Sequence, residues 1–389
     1  MKRKPLKRPL RVLTNMRFYT VAGIAQYISG FIAHNEKNKN FTIYGVDVLR
    51  PDEPHTDPHG KKQFKNFHLL RYVVDYPPLG TVNQLSQGSF TVLKSSFKEI
   101  IAAYAKAIQR VKPDIILING SYFLPWCFLR AAKAYSKASL CMHYHGILKK
   151  EVAHWPNTTD RALMLKMERD FDRKNIFYIF PSKLARRTVE REVFGHSITH
   201  CAVLPNPVAP EFFATKPRQK GNGIGIVSRW SKIKNIDFII RLARRNVCTK
   251  KPVSINIISD FKPKKNTRLF YELIQFNKPM ANKNLAQFYA KQGVVISPSI
   301  FETYGNVAQE AIACGTPALV SSKMGVAETF HKLGLSNLVI DFTSSEKVLK
   351  KAKVIATTHI SPEIVTMLRE EYSNDKIFGQ YAELLTLAP

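Results

Sequence analysis

Long hydrophobic runs are missing. No stretch of about 18 apolar residues, the length of a membrane-spanning helix, occurs in the chain. The nearest approach, 114–132, is broken by Asn119, Gly120, Ser121, Pro125 and Arg130 and reads as a buried strand followed by a helix. Cysteine is scarce: Cys127, Cys141, Cys201, Cys248 and Cys314 are odd in number and scattered, with no C-x-x-C pair. A zinc knuckle, a redox motif and a disulfide framework therefore lack support, and a reduced, cytoplasmic setting fits best. The start, MKRKPLKRPLRVLTNM, is basic but has neither a long apolar core nor a small-residue cleavage site behind it, so no secretory signal is expected. Acidic residues are few: 29 Asp and Glu stand against 59 Lys and Arg, a formal charge of +30 at pH 7. Such an excess attracts phosphates of any origin, whether nucleic acid, anionic lipid or nucleotide, and equally suits a surface that is merely solvated. It names a class of partner without choosing among its members.

What is present suffices for two domains: 389 residues, 45% of them apolar. Strands predicted at 11–16, 41–48, 71–74, 115–118, 138–144 and 176–179 alternate with helices predicted at 23–34, 95–110 and 183–192. The alternation pauses over 204–223, where LPNPVAPEFFATKPRQKGNG gathers prolines, glycines and charges, the chemistry of a linker. It restarts with strands predicted at 225–228, 253–258, 294–297 and 317–320 and helices at 235–245, 266–275, 284–291 and 306–314. Continuous apolar strands between helices imply parallel sheets covered on both faces. The expected α/β organisation is a domain over 1–208, a linker over 209–222 and a domain over 223–361, with a cleft between the two domains. A helical stretch over 362–389 would fold back toward the first domain.

The most informative segment is 294–320, VVISPSIFETYGNVAQEAIACGTPALV. A buried strand ends at Pro298–Ser299, a polar loop follows, and a helix opens near Gly305–Asn306 and stops at Gly315 with Pro317 beyond. Ligands of open α/β sheets sit outside the carboxyl ends of the strands, and the N–H groups of Gly305, Asn306 and Val307 would form a helix N-terminus suited to a phosphate. Glu302 in the loop and Glu310 within the helix frame that spot. Glu310 lies among Val307, Ala308, Ala311 and Ile312, where a carboxylate needs a partner. In 224–242, IGIVSRWSKIKNIDFIIRL, Arg229 and Lys234 follow a strand and precede an amphipathic helix.

Glu302 and Glu310, separated by seven residues inside PSIFETYGNVAQEAIACGTPALVS, resemble the signature of glycosyltransferase family 4, nucleotide-sugar-dependent enzymes of the two-domain GT-B fold. The surrounding Pro298–Ser299, Gly305, Ala311, Ala313, Gly315 and Pro317 agree with it. Arg229 and Lys234 resemble the family's cations for the donor diphosphate, although Ser228 and Asn235 stand where glycine is usual. RVLTNMRFYTVAGIAQYISGFI is similar to the family's first strand, glycine loop and helix, with Gly23 kept and Ala22 in place of the other glycine. LCMHYHGIL is similar to its strand ending in His-Gly, which puts His145 at the cleft edge with His143 behind it. In LPNPV, Pro207 replaces a glycine beside Asn206.

The resemblance implies two Rossmann-like domains whose parallel sheets face a central cleft. It implies a retaining transfer of a sugar from a UDP- or GDP-sugar to a hydroxyl acceptor, in polysaccharide, glycolipid or cell-envelope glycan synthesis. Glu302 and His145 would serve the transferred sugar. Arg229, Lys234, Gly305, Asn306, Val307, Glu310 and Gly23 would hold the donor. The nucleoside diphosphate sugar is a co-substrate, and neither a metal nor another cofactor is expected, because two cations and a helix dipole can meet the diphosphate's charge. The one Asp-x-Asp triplet, Asp170-Phe171-Asp172, lies in a stretch read as helix over 161–173, where residues two apart point to different faces. The expected partners are the nucleotide sugar, a glycan or lipid-linked acceptor and, through basic surface on the first domain, an anionic membrane at the cytoplasmic face. A transferase acting on nucleic acid bases, a basic nucleic-acid-binding protein, and a GT-B-like sugar-binding or epimerase protein without transfer activity are the rival readings.

Overall fold

Thirteen strands are present among the described residues, and every strand pairing is parallel. The computed structural model describes residues 8–16, 23–53, 64–76, 89–154, 158–214, 221–260 and 274–387. They fall into two compact units. The first comprises 1–181, 186–204 and 378–389, and the second 182–185 and 205–377.

The first unit holds β1 (Leu10–Asn15), β2 (Phe41–Leu49), β3 (Phe67–Val73), β4 (Ile115–Asn119), β5 (Ser139–His143), β6 (Ile176–Phe180) and β7 (Cys201–Val203), in the order β3-β2-β1-β4-β5-β6-β7. β4, with sequence IILIN, is buried at every position, as a strand covered on both faces must be. The second unit holds β8 (Ile224–Val227), β9 (Ile255–Ile258), β10 (Ile274–Asn277), β11 (Val294–Ser297), β12 (Ala318–Ser321) and β13 (Val339–Ile340), in the order β10-β9-β8-β11-β12-β13. Each sheet reverses its order once, between β1 and β4 in the first and between β8 and β11 in the second. Such a reversal opens a crevice at the carboxyl ends of the two strands.

Several elements differ from the sequence expectation. The helix expected over 266–275 overlaps β10, whose Ile274 and Phe276 pair with Ile255 and Ile257 of β9; the part of it before Ile274 lies outside the described residues. The strand expected over 71–74 begins earlier, at Phe67, because its pairing with β2 runs the whole way from Ile43 to Leu49. The stretch expected as linker carries the helix Pro210–Phe213, and Phe212 is buried in the core of the second unit beside Val208. Proline at the first helical position and apolar anchors on either side make this stretch part of the core. The tail is two helices, Pro362–Tyr372 and Asn374–Leu387, separated by an extended Ser373. From Phe378 onward it belongs to the first unit, where Phe378 and Tyr381 pack edge-on against Tyr27 and Tyr381 also packs edge-on against Phe31. Among the described residues no helix is long and apolar enough to cross a membrane.

Candidate functional site

At the carboxyl end of β8 the chain leaves the sheet through Ser228 and the exposed Arg229, makes a short 3-10 turn over Lys232–Lys234, and enters the helix Ile236–Val247 at Asn235. Asn235 has φ +60°, a left-handed conformation that glycine or asparagine accepts at least cost. This explains why asparagine stands where the resemblance puts glycine. Its side-chain amide donates to the Pro298 carbonyl at 3.1 Å, and the Ile300 N–H donates to the Ile233 carbonyl at 2.9 Å. The loops after β8 and β11 are thus tied across the reversal of the sheet.

Those ties bring Lys234 to Glu302, with Nζ 2.9 Å from Oε1. The Ser299 hydroxyl donates to the same oxygen at 2.5 Å. Glu302 is fixed by its backbone as well: its N–H donates to the Lys323 carbonyl at 3.2 Å, and its carbonyl accepts from Gly325 at 3.1 Å. Arg229 has no carboxylate partner among the described residues. The buried hydroxyls of Ser228 and Ser231, on either side of it, have no hydrogen-bond partner there either. Buried hydroxyls without partners are uncommon and suit a loop that closes on a polar ligand.

Gly305 caps the helix Asn306–Ala313 with φ +108°, and a Cβ on it would stand 2.5 Å from Met324 Cε. Only glycine fits there. The cap supplies no side-chain acceptor, so the first-turn amides of Asn306 and Val307 keep their capacity to bind an anion. The Asn306 side chain is occupied: its Oδ1 accepts from Asn206 Nδ2 at 2.8 Å, and Gln309 Nε2 donates to the Asn206 carbonyl at 3.0 Å. Asn206, beside the Pro207 that replaces a glycine, is an anchor of this helix start. Glu310, further along, accepts from the Tyr289 hydroxyl at 3.0 Å. Burial pushes its carboxyl up to about 7, against the opposing pull of that hydrogen bond. Tyr289, on the helix Asn282–Lys291, carried no sequence signal, since a tyrosine at helical spacing reads simply as core.

His145 lies in the first unit, past the end of β5. Its Nε2 is 3.2 Å from Asn119 Oδ1. The Asn119 amide nitrogen is committed to Thr14 Oγ1 at 2.6 Å, which turns the oxygen to the imidazole and selects the Nε2–H tautomer. The Asn15 side chain also bonds the Asn119 backbone across the β1–β4 reversal, its Oδ1 accepting from the Asn119 N–H at 2.8 Å and its Nδ2 donating to the Asn119 carbonyl at 3.1 Å. A polar residue closing the otherwise apolar IILIN was the available signal for Asn119. His143 stacks on His145 with ring centroids 3.8 Å apart. Burial pulls His145 down to about 3, so it acts as a neutral hydrogen-bonding ring. The chain beyond it is held by Glu168, which sequence reasoning missed: the buried carboxylate accepts from the Leu148 and Lys149 amides at 2.7 and 2.9 Å and from Ser121 Oγ at 3.2 Å. Burial pushes it up to about 7. Gly23 opens the helix Gly23–Asn38, and a Cβ there would meet no atom within 4 Å; residues 17–22 before it lie outside the described residues.

None of the Asp-x-Asp triplet is helical, since the helix expected over 161–173 ends before it, at Arg169. Asp170 accepts from the Trp126 indole at 2.8 Å, and Asp172 pairs with His196 at 2.8 Å. Among the described residues no three His, Cys, Asp or Glu side chains are grouped to hold a metal ion.

Residues 209–360 match the family described as "Glycosyl transferases group 1". A D-inositol 3-phosphate glycosyltransferase 1 from Catenulispora acidiphila is 33% identical over 98 residues, 25% of this chain and 22% of that one. An uncharacterised 41.2 kDa protein of the cps region of Klebsiella pneumoniae is 25% identical over 124 residues, 32% of this chain and 34% of that one. The chain thus spans about a fifth to a third of the length of these curated relatives. Among solved structures, the sucrose-phosphate synthase of Thermosynechococcus elongatus superposes with a TM-score of 0.76 at 13% identity, covering 97% of this chain and 98% of that one. WaaG, a glycosyltransferase involved in lipopolysaccharide biosynthesis, superposes with a TM-score of 0.67 at 12% identity, covering 97% of this chain and 100% of that one. The chain has the GT-B fold, two parallel-sheet α/β domains.

Proposed function

We propose that the protein is a retaining glycosyltransferase of family 4 that moves a sugar from a nucleoside diphosphate sugar, UDP- or GDP-linked, to a hydroxyl acceptor. The observation that carries this reading is the Lys234–Glu302 contact at 2.9 Å. It joins a cation and a carboxylate at the carboxyl ends of the two strands where the sheet order reverses, beside a glycine-capped helix. The match of residues 209–360 to group 1 glycosyl transferases supports it.

In this reading Arg229, Lys234 and the amides of Gly305, Asn306 and Val307 take the diphosphate and stabilise the negative charge that grows on it as the sugar leaves. Glu310 accepts hydrogen bonds from the ribose hydroxyls. Glu302 orients the transferred sugar and stabilises its oxocarbenium-like centre. His145, neutral and held in one tautomer by Asn119, hydrogen-bonds a sugar hydroxyl. The leaving phosphate oxygen takes the acceptor's proton, so the reading assigns no separate general base and no metal. The acceptor in this reading belongs to polysaccharide, glycolipid or envelope glycan synthesis.

A thermal-shift series with UDP-, GDP-, ADP- and CMP-sugars tests this. A true donor at a hundred times its dissociation constant adds about 2.7 kcal/mol of stability. Glu310→Ala should remove most of that gain, and Arg229→Ala should reduce it. If no nucleotide sugar shifts the melting temperature, or if both variants respond as the parent does, the assignment fails.

A further inference from the structure

The candidate site uses Arg229 and Lys234 and leaves the rest of the cationic excess unexplained. In the second unit the helices Ile236–Val247 and Ser345–Ile355 pack side by side. Arg245 and Lys350 share Glu346 at 2.9 and 3.0 Å. Lys353 Nζ ties the far ends together, donating to Thr249 Oγ1 at 2.9 Å and to the Lys251 carbonyl at 2.7 Å. The inward faces are apolar: Phe238, Ile239 and Leu242 from one helix, Val348, Leu349 and Ala352 from the other. The outward face is left with Arg241, Arg244, Arg245, Lys347, Lys350 and Lys351, against Asp237 and Glu346 as the only acids of the two helices. Arg241 and Arg245, and Lys347 and Lys351, are like charges four residues apart, an arrangement that costs helix stability. Two valines stand among these cations, Val247 39% exposed and Val354 68% exposed. Val354 lies one turn beyond Lys350.

We infer that this two-helix face docks the second unit on an anionic lipid bilayer. The cations meet the headgroup phosphates, and Val247 and Val354 enter the boundary between headgroups and acyl chains. A nucleic acid would use the same cations but gain nothing from two exposed valines, and it is the valines that favour lipid. This places the membrane contact on the second unit, where the sequence reading looked for it on the first, and it holds whether or not the face serves a transferase.

Sedimentation of the full chain with vesicles of phosphatidylcholine alone, and of phosphatidylcholine with phosphatidylglycerol at about 3:1, tests it. The parent should sediment with the anionic vesicles only, and raising NaCl from about 0.1 M to about 0.5 M should release it. Combined Lys347→Glu, Lys350→Glu and Lys351→Glu should weaken partitioning more than about tenfold. Val354→Ser should weaken it severalfold while leaving binding to a DNA duplex unchanged. Circular-dichroism melting checks that the triple variant is folded, and Arg241→Ser with Arg244→Ser replaces it otherwise. Failure of the parent to sediment, or a triple variant that sediments like the parent, overturns the inference. So does a duplex bound through these lysines with vesicle binding indifferent to Val354→Ser. None of these positions belongs to the donor site, so the melting response to nucleotide sugars should persist in every variant. A failure here is therefore distinguishable from a failure of the proposed function.

Discussion

Glu302 and Lys234 neutralise each other in the free chain, so a diphosphate approaching Lys234 must compete with a carboxylate already in place. Glu302→Gln removes that competitor. The expected outcome is tighter binding of the free nucleoside diphosphate than in the parent, by a few-fold in titration calorimetry, together with loss of sugar transfer. A carboxylate that was merely solvated surface would alter neither. Glu310 makes a second residue-scale prediction. Its folded carboxyl stands at about 7 against an ordinary 4.5, so the folded state binds a proton more readily than the unfolded one. The stability it contributes is fully present below about pH 4.5 and is lost as pH rises through about 7. Glu310→Gln cannot ionise and should gain on the parent between about pH 5 and about pH 8. The gain should be on the order of 1–2 kcal/mol, given the solvent that still reaches this side chain, and melting curves at the two pH values read it. At both residues the motif gave identity and order. The partner Tyr289 came only with the fold, because a hydrogen bond between neighbouring elements leaves no periodicity in the sequence.

At the scale of the element, the two turns that build the site depend on positive φ. Gly305→Ala places a Cβ against Met324 in a left-handed backbone and should cost on the order of 1–3 kcal/mol. At Asn235 the backbone is equally left-handed, but asparagine already tolerates it and bonds the Pro298 carbonyl. Asn235→Gly should therefore be milder than Asn235→Ala, which should cost about 1–2 kcal/mol. Urea unfolding of the three variants gives the ranking. The helix Asn306–Ala313 and strand β11 were legible because a buried strand, a glycine cap and a Gly-x-Pro stop follow one another in the sequence. β10 was not. Four residues with two apolar positions do not distinguish a strand from a helix until a neighbour such as β9 offers its edge.

For the whole molecule, the tail is the informative element. Phe378, Tyr381 and Leu385 are each 1% exposed and belong to the first unit, although they follow the entire second unit in sequence. Each fully buried large apolar side chain contributes roughly 1.5–3 kcal/mol, so removing 378–389 costs on the order of 5 kcal/mol, comparable with the whole stability of many domains. The truncated chain should show a lowered first calorimetric transition and early proteolysis around Tyr27 and Phe31, with the second unit's transition little changed. Equal transitions in the two chains would show that the tail's packing is unimportant.

The sequence by itself determined the alternation of buried strands and helices, the parallel character of the sheets, and the order of the cationic and acidic motifs along the chain. Each of these is a local consequence of periodicity, glycine and proline placement and side-chain charge. Tertiary structure decided which distant residues meet: Lys234 with Glu302, Asn206 with Asn306, Asn119 with His145, and Glu168 with the amides beyond His145. It also decided that residues 205–214 join the second core and that the tail closes the first. The physical reason is that these pairings depend on which segments strand order and helix packing bring side by side, a property no single segment encodes.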